Sequence, residues 1–286
     1  MDALARFENS QPVEWYDKNY ACKIRKFDNG DVEVSTYVVQ SIREKARADR
    51  RLAGVPIRRN SNEPEEITPE QLLKRREDSV KKSVFRARQK LRWLVKQIGA
   101  DHLLTLSYRD NMQDIERLKS DWKAFVRLVV ARYPEWKYVC VHEKQDRGAF
   151  HLHVAVSGRQ DIKYFRRCWY KVLGASPDAS GTDTPGQVNV IGPSKRFGGM
   201  GYVWKANRLA GYIGKYLHKQ FEESDKGAKR YWASKGISLP VPQKIWLGCS
   251  NFIEAVQVTH DIARACGVVH LSMWASEGWQ SIWMCG

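Results

Sequence analysis

Apolar and polar positions alternate through residues 20–39, "YACKIRKFDNGDVEVSTYVV", on either side of Asp28-Asn29-Gly30. A period of two marks a half-buried strand, and Asn-Gly is a tight-turn pair, so a β-hairpin is expected here. Residues 41–59 are strongly basic, and "RNSNEPEEITPE" (59–70) reads as a polar linker. The linker ends in a helix start: Thr68 as N-cap, Pro69 in the first turn and Gln71 closing a capping box. The period then lengthens. Val80, Val84, Leu91, Leu94 and Ile98 form one stripe of a helix over 69–98, and Gly99 stands at its C′ position.

Beyond Gly99 the runs are shorter. "HLLTLSY" (102–108), "KYVCVHE" (137–143), "FHLHVAVSG" (150–158) and "QVNVI" (187–191) read as strands. Residues 114–133, 161–174 and 203–220 have helical spacing. "KQDRGA" between the second and third strands is a turn, so those two strands should form an antiparallel hairpin. "ASPDASGTDTPG" (175–186) and "PSKRFGGMG" (193–201) read as loops. The order over 100–220 is β-α-β-β-α-β-α. Its first six elements predict an α+β fold of ferredoxin-like, split β-α-β type: an antiparallel sheet with helices on one face. The expected division is a basic N-terminal extension with hairpin and linker (1–77), a core domain (78–235) and a C-terminal extension (236–286).

Composition narrows the partners. The 286 residues carry 48 Lys and Arg against 32 Asp and Glu, a net charge of +16. Phosphate backbones and anionic lipid are the natural counterparts of such a balance. No cationic stretch leads into an apolar run at the start, so no secretory signal is expected. No uninterrupted apolar run reaches the roughly 18–20 residues that span a bilayer. Nucleic acid is therefore the expected partner, with no membrane. The six cysteines (Cys22, Cys140, Cys168, Cys249, Cys266, Cys285) include no C-x-x-C pair. Reduced thiols in a cytoplasmic protein are expected, rather than a disulfide framework or a cysteine zinc site. Most cations of the 69–98 helix, among them Lys81, Lys82, Arg86, Arg88, Lys90 and Arg92, read as a solvated face, and some are positioned to meet a DNA backbone.

The chemistry begins with "HLHV" (151–154). On a strand His151 and His153 point to one face and Leu152 and Val154 to the other. A bare His-x-His is usually ordinary decoration of a solvated sheet. Here Glu143 lies eight residues before His151, and the hairpin brings it back beside the imidazoles. Two histidines and one carboxylate suit Mg2+ or Mn2+ with coordination positions left for substrate oxygens. Gln145 and Asp146 are the reserve third ligands, and His142 should face away.

A second pattern is "YIGKYLHK" (212–219), a Tyr-x-x-Lys unit written twice. Tyr212 and Tyr216 lie about 40° apart around a helix axis and about 6 Å along it, so both can face one site. An aromatic stripe packing on the sheet is the plainer reading of two such tyrosines, but the repeated Lys215 and Lys219 are not needed for packing. A tyrosine that cuts a phosphodiester must lose its proton, at a cost of roughly 4 kcal/mol at pH 7 for a phenol of pKa near 10. A cation beside it, or a metal on the non-bridging oxygens, offsets the growing charge. The product keeps the bond energy as a 5′-phosphotyrosine, so rejoining needs no ATP.

With these motifs in hand, the chain resembles the HUH endonucleases, specifically the two-tyrosine rolling-circle replication initiators that include the gene A proteins of small single-stranded DNA phages. Three motifs carry the resemblance in order: "LLTLSY" (103–108), "HLHV" (151–154) and "YIGKYLHK" (212–219), with "EKQDRGAFHLH" similar to the run before the histidines in related initiators. It covers about 100–235. The resemblance implies that His151 and His153 bind the metal, with Glu143 as third ligand. It implies that Tyr212 and Tyr216 are nucleophiles assisted by Lys215 and Lys219. Thr105 and Ser107 of the first motif would be structural or DNA-contacting rather than catalytic. The implied substrate is single-stranded or hairpin origin DNA in a bacterial host cell. One tyrosine would open the origin and the second would act at termination, closing a single-stranded circle. No G-x-x-x-x-G-K-[ST] loop is present, so a host helicase and a host polymerase would unwind and copy.

Two other classes remain open from sequence. One is a single-tyrosine HUH transposase or relaxase. The other is a non-enzymatic module that binds single-stranded nucleic acid. "KRYWASKG" (229–236) fits a DNA-contact segment, with Arg230 and Lys235 on phosphates and Tyr231 or Trp232 on a base, as well as it fits a packed aromatic turn. The Trp-rich run "CGVVHLSMWASEGWQSIWMCG" (266–286) reads as packing against the core or as a protein-contact surface.

Overall fold

The computed structural model describes residues 19–39, 68–193, 206–223, 231–249, 251–269, 271–276 and 281–286. The side chains of Asn207 and of residues 216–223 fall outside that description. The contacts divide the chain into two compact units, one of 68–239 and one drawn from 1–67 with 240–286. Each holds a five-stranded antiparallel sheet.

The unit of 68–239 opens with α1 (Pro69–Gln97). The capping box is formed: Thr68 Oγ1 accepts from the Gln71 amide at 3.3 Å, and Gln71 Oε1 accepts from the Thr68 amide at 3.2 Å. Residues 68–82 are exposed throughout, and only the last turns bury Leu91, Leu94 and Val95. The cap therefore holds a solvated end rather than the core. Thr68→Ala should speed amide exchange in the first turn by about fivefold, a local loss near 1 kcal/mol, and leave the melting temperature of the unit unchanged. An unaltered exchange rate at Leu72 would show that the box does not hold that turn.

After α1 come β3 (His102–Tyr108), α2 (Ile115–Arg132), β4 (Tyr138–Lys144), β5 (Phe150–Val156), α3 (Ile162–Val172), β6 (Gly186–Ile191), α4 (Ala206–Glu223) and β7 (Tyr231–Ala233). The strand order is β6-β3-β5-β4-β7, every neighbour antiparallel. The two strands joined by a short turn, β4 and β5, sit side by side, and β3 and β6 complete the row across β5.

The helices cover both faces, where the sequence reading expected one. On the first face, Leu104, Leu106, Cys140, Leu152, Val154 and Val188 pack with Leu118, Trp122, Phe125 and Val129 of α2 and Phe165 and Trp169 of α3. On the second, Leu103, Val139, Val141 and Ala155 pack with Leu91, Leu94 and Val95 of α1 and Leu209, Ala210 and Ile213 of α4. The physical reason is in the strands. At one end of β3, β4 and β5 both side-chain parities are apolar, and a strand of that kind must be covered twice.

The second face changes character along its strands. Its first row, Ile191–Leu103–Ala155–Val139–Ala233, is apolar. Its next row is Asn189–Thr105–His153–Val141–Tyr231, and the row beyond is Gln187–Ser107–His151–Glu143. Helix cover thus ends where the polar side chains begin. Gly148 lets the β4–β5 turn close. Its φ is +91°, and a Cβ there would lie 2.8 Å from Gln113 Cδ.

The other unit comprises β1 (Asn19–Lys26), β2 (Val32–Val39), β8 (Gln243–Leu247), α5 (Phe252–Ala265), β9 (Ser272–Ala275) and β10 (Ser281–Cys285), with strand order β8-β1-β2-β10-β9. The expected hairpin is present as β1 and β2. The C-terminal segment is more than an appendage. β8 pairs with β1 and β10 with β2, so the two ends of the described chain make one sheet. Asn251 caps α5 by accepting from the Glu254 amide at 3.0 Å. Buried Thr259 of α5 is hydrogen-bonded to Thr36 Oγ1 at 2.7 Å. Among the described residues no helix is long and apolar enough to cross a membrane, and all six cysteines are free thiols.

Candidate active site

His153 is the hub of the polar rows. It is 6% exposed. Its Nε2 lies 2.9 Å from Glu143 Oε2 and its Nδ1 lies 3.4 Å from Thr105 Oγ1. Glu143 is directly opposite His151 in register, yet its carboxylate reaches diagonally to His153. Such a diagonal neighbour is within reach of a long side chain on a pleated sheet.

His151 takes its contact from the turn. Its Nδ1 is 3.3 Å from Gln145 Nε2, and Gln145 Oε1 accepts from Arg147 Nε at 3.2 Å. Its Nε2 is buried and has no hydrogen-bond partner among the described residues. Burial lowers the His151 pKa, and the neighbouring His153 and Arg147 add to the shift while Glu143 opposes it. The imidazole is therefore neutral near pH 7, the form that coordinates metal. Among the described residues no group of three or more His, Cys, Asp or Glu side chains is gathered closely enough to hold an ion. The expected trio shares one face, with His153 and Glu143 in contact and His151 beside them.

Helix α4 brings the first tyrosine to this face. Ile213, Leu209 and Ala210 anchor the helix in the second core, and Tyr212 packs at the edge of that cluster. The Tyr212 ring stands edge-on to His153, centroids 6.4 Å apart and planes at 89°. Lys215 is exposed. The side chains of Tyr216 and Lys219 lie outside the described residues.

The remaining sequence candidates sort by face. Gln145 reaches His151, whereas Asp146 is exposed in the turn. His142 does face away: its ring packs against Phe150 and Trp232 in the first core, and desolvation takes its pKa down to about 4. Tyr231 and Trp232 belong to an edge strand, not to a free loop. Tyr231 packs in the second core, and Trp232 packs on Trp122 at 6.4 Å, so the packed reading of that segment holds for both rings. Lys235 is exposed, and Arg230 lies outside the described residues.

Sequence reasoning set Thr105 aside as structural or DNA-contacting, but its hydroxyl touches His153. It also passed over Gln187 and Asn189, which are exposed on the same face. The signal was present in both cases. Thr105 and Ser107 share one parity of β3, as Gln187 and Asn189 do of β6. Which strand would lie next to the histidines was not local information.

Residues 101–221 match the family model of the ORF2-type replication-associated protein. The matched span is under half of the chain, and it contains His151, His153, Glu143, Tyr212 and Tyr216. The likeness supports a rolling-circle replication initiator family, and with it a part in DNA replication and an interaction with DNA. No curated protein and no solved structure matches the chain.

Proposed function

We propose that the protein is a two-tyrosine initiator endonuclease of the HUH type, which nicks and rejoins single-stranded origin DNA through Tyr212 and Tyr216. The observation that carries the reading is the contact of the Tyr212 ring with His153, itself bonded to Glu143, at the polar end of the sheet. The replication-associated match supports it independently.

A divalent ion, Mg2+ or Mn2+, fits the donors in chemistry. Two ligands at adjacent octahedral positions stand about 3 Å apart when each is 2.0–2.1 Å from the ion. His153 Nε2 and Glu143 Oε2 are 2.9 Å apart, and His151 supplies a buried nitrogen with no partner among the described residues. His153, Glu143 and His151 would hold the ion, which when bound withdraws charge from the non-bridging oxygens of the scissile phosphate.

The side chains do the rest. Tyr212 Oη attacks phosphorus, an O–P bond forms, and the P–O3′ bond breaks. The phenolic proton is lost and the leaving 3′ oxygen gains one, so a 3′-hydroxyl and a 5′-phosphotyrosine result. Lys215 favours the phenolate or steadies the phosphate. Tyr216 with Lys219, one turn on, repeats the reaction on a regenerated origin. The 3′-hydroxyl released there attacks the first phosphotyrosine and closes the circle.

Incubation of the protein with labelled single-stranded DNA from its own locus and Mn2+ should give a covalent adduct that mass spectrometry maps to Tyr212 or Tyr216. Tyr212→Phe and Tyr216→Phe should each impair the cycle of cutting and joining, and the double variant should form no adduct. A variant pair in which one change abolishes cutting and joining while the other does nothing would favour a single-tyrosine transposase or relaxase. DNA left uncut with or without Mn2+ and EDTA would leave a binding module.

Thr105 is the positioning residue of this site. With His153 Nε2 committed to a cation, its Nδ1–H needs an acceptor, and Thr105 Oγ1 is the atom in reach. Thr105→Val should weaken Mn2+ binding by about 10- to 100-fold, read by the electron paramagnetic signal of free Mn2+. Thr105→Ser should restore it. Equal affinity in all three proteins would remove Thr105 from the site.

A further inference from the structure

We infer that the sheet of the other unit, β8-β1-β2-β10-β9, is a second binding surface for single-stranded nucleic acid, distinct from the histidine–tyrosine site. The two faces of this sheet have different chemistry. One carries Tyr20, Cys22, Ile24, Val34, Ile245 and Leu247 and is packed by α5. The strand registers place Lys23, Ser35, Tyr37, Lys244, Trp246, Trp274 and Trp283 on the opposite face. No described helix of this unit packs there.

The central row of that face crosses all five strands: Lys244, Lys23, Ser35, Trp283, Trp274. Strands about 4.8 Å apart make it about 19 Å long, enough for several nucleotides. Trp246 and Tyr37 flank the row on either side of the small Ala21. Trp274 is 59% exposed and Trp246 37%, unusual for the largest apolar side chains.

The lysines identify the ligand. Lys23 and Lys244 are directly opposite one another and both exposed. Like charges directly opposed on a sheet destabilise it. Their row holds no carboxylate, and neither lysine is in an ion pair among the described residues. Each instead lies over a ring, Lys23 Nζ 4.8 Å from the Tyr37 centroid and Lys244 Nζ 4.1 Å from that of Trp246. The nearest acid on this face, Glu33, is one row away opposite Arg25 and is buried. Two ammonium groups without an acid partner, set among aromatic faces, match a chain that alternates phosphates with flat bases. Cations track the backbone while the rings stack the bases. Single-strand readers built on open sheets stack about two or three bases on such aromatics. A protein partner would be expected to meet the aromatics but leaves the opposed lysines unexplained.

The test uses the full chain carrying His151→Ala, in EDTA, so that no strand is cut. The probe is a fluorescein-labelled oligothymidylate of about 16 nucleotides, followed by anisotropy across a range of salt. Lys23→Glu with Lys244→Glu should weaken binding at least tenfold. The slope of log affinity against log salt should fall by about 1.4, because each phosphate contact on a single strand contributes about 0.7. Trp274→Ala should weaken binding roughly fivefold to a hundredfold. The arginine pair, Lys23→Arg with Lys244→Arg, should retain binding and so separates charge from folding. A photoreactive 5-iodouridine strand should crosslink to Trp246, Trp274, Trp283 or Tyr37. Oligouridylate and duplex competitors then distinguish DNA, RNA and duplex preference.

Unchanged affinity and salt slope in the glutamate pair, with crosslinks confined to 68–239, would overturn the inference. So would unchanged affinity accompanied by loss of self-association in sedimentation, which would make the face a protein contact. The result is separable from the proposed nuclease. A chain that forms no tyrosine adduct but loses binding in the glutamate pair sinks the nuclease reading alone, and the reverse pattern sinks this one alone.

Discussion

Replacing His153 by alanine is expected to reduce cleavage of single-stranded DNA about a thousandfold or more, the largest functional loss from any one change in this protein. His153 meets Glu143 through one ring nitrogen and Thr105 through the other, and its ring edge meets Tyr212. Alanine removes a donor from the proposed cation, the partner of a carboxylate and the wall against which the tyrosine rests. Charge withdrawal by a divalent ion at a phosphoryl centre contributes several kcal/mol, and about 4 kcal/mol corresponds to a factor near a thousand. Single-turnover cleavage in Mn2+ measures it. His153→Gln keeps a polar side chain of similar size and should lose nearly as much. Glu143→Gln should fall between those variants and the parent. If His153→Ala cuts within threefold of the parent rate, this histidine is not part of the site.

Phe125→Ala should lower stability by about 3–5 kcal/mol, the cost of truncating a fully buried aromatic. Phe125 is 0% exposed and sits at the centre of the first core. It stacks on Trp122 at 5.8 Å and meets Trp136, Phe165 and Trp169 edge to face. The neighbours come from α2, from α3 and from the segment before β4, so no single movement can fill the cavity. A domain of this size should melt about 10 °C lower. The transition to follow is that of the 68–239 unit. A shift below 2 °C would mean that the aromatic cluster relaxes around the gap. The site is on the other face of the sheet, so cleavage per folded molecule at low temperature should be little changed.

Much of the fold was legible because its signals are local. The Thr68 box, the Asn29-Gly30 turn and the parity of "HLHV" each depend on a few adjacent residues, and each is found where the pattern placed it. The second helix layer was less legible. Leu103, Val139, Val141 and Ala155 are ordinary strand residues one by one, and their shared row emerges only when three strands are in register. The C-terminal segment was missed for a related reason. The alternation in "SIWMC" is short, and its partner β2 lies more than two hundred residues away. Nothing near it in the chain announces a sheet.

The same division runs through the candidate site. The sequence by itself determined the chemical inventory. His151 and His153 share a face because a strand has a period of two, and Tyr212 and Tyr216 share one because a helix turns by 100° per residue. Only the tertiary structure decided which of these groups meet. Glu143 crosses to His153 rather than to its direct partner His151, Gln145 takes His151, and Thr105 takes the far nitrogen of His153. His142, adjacent to Glu143 in the chain, is turned into the opposite core. Periodicity settles direction within one element. Pairing, register and the point at which helix cover ends depend on contacts between residues far apart in the chain.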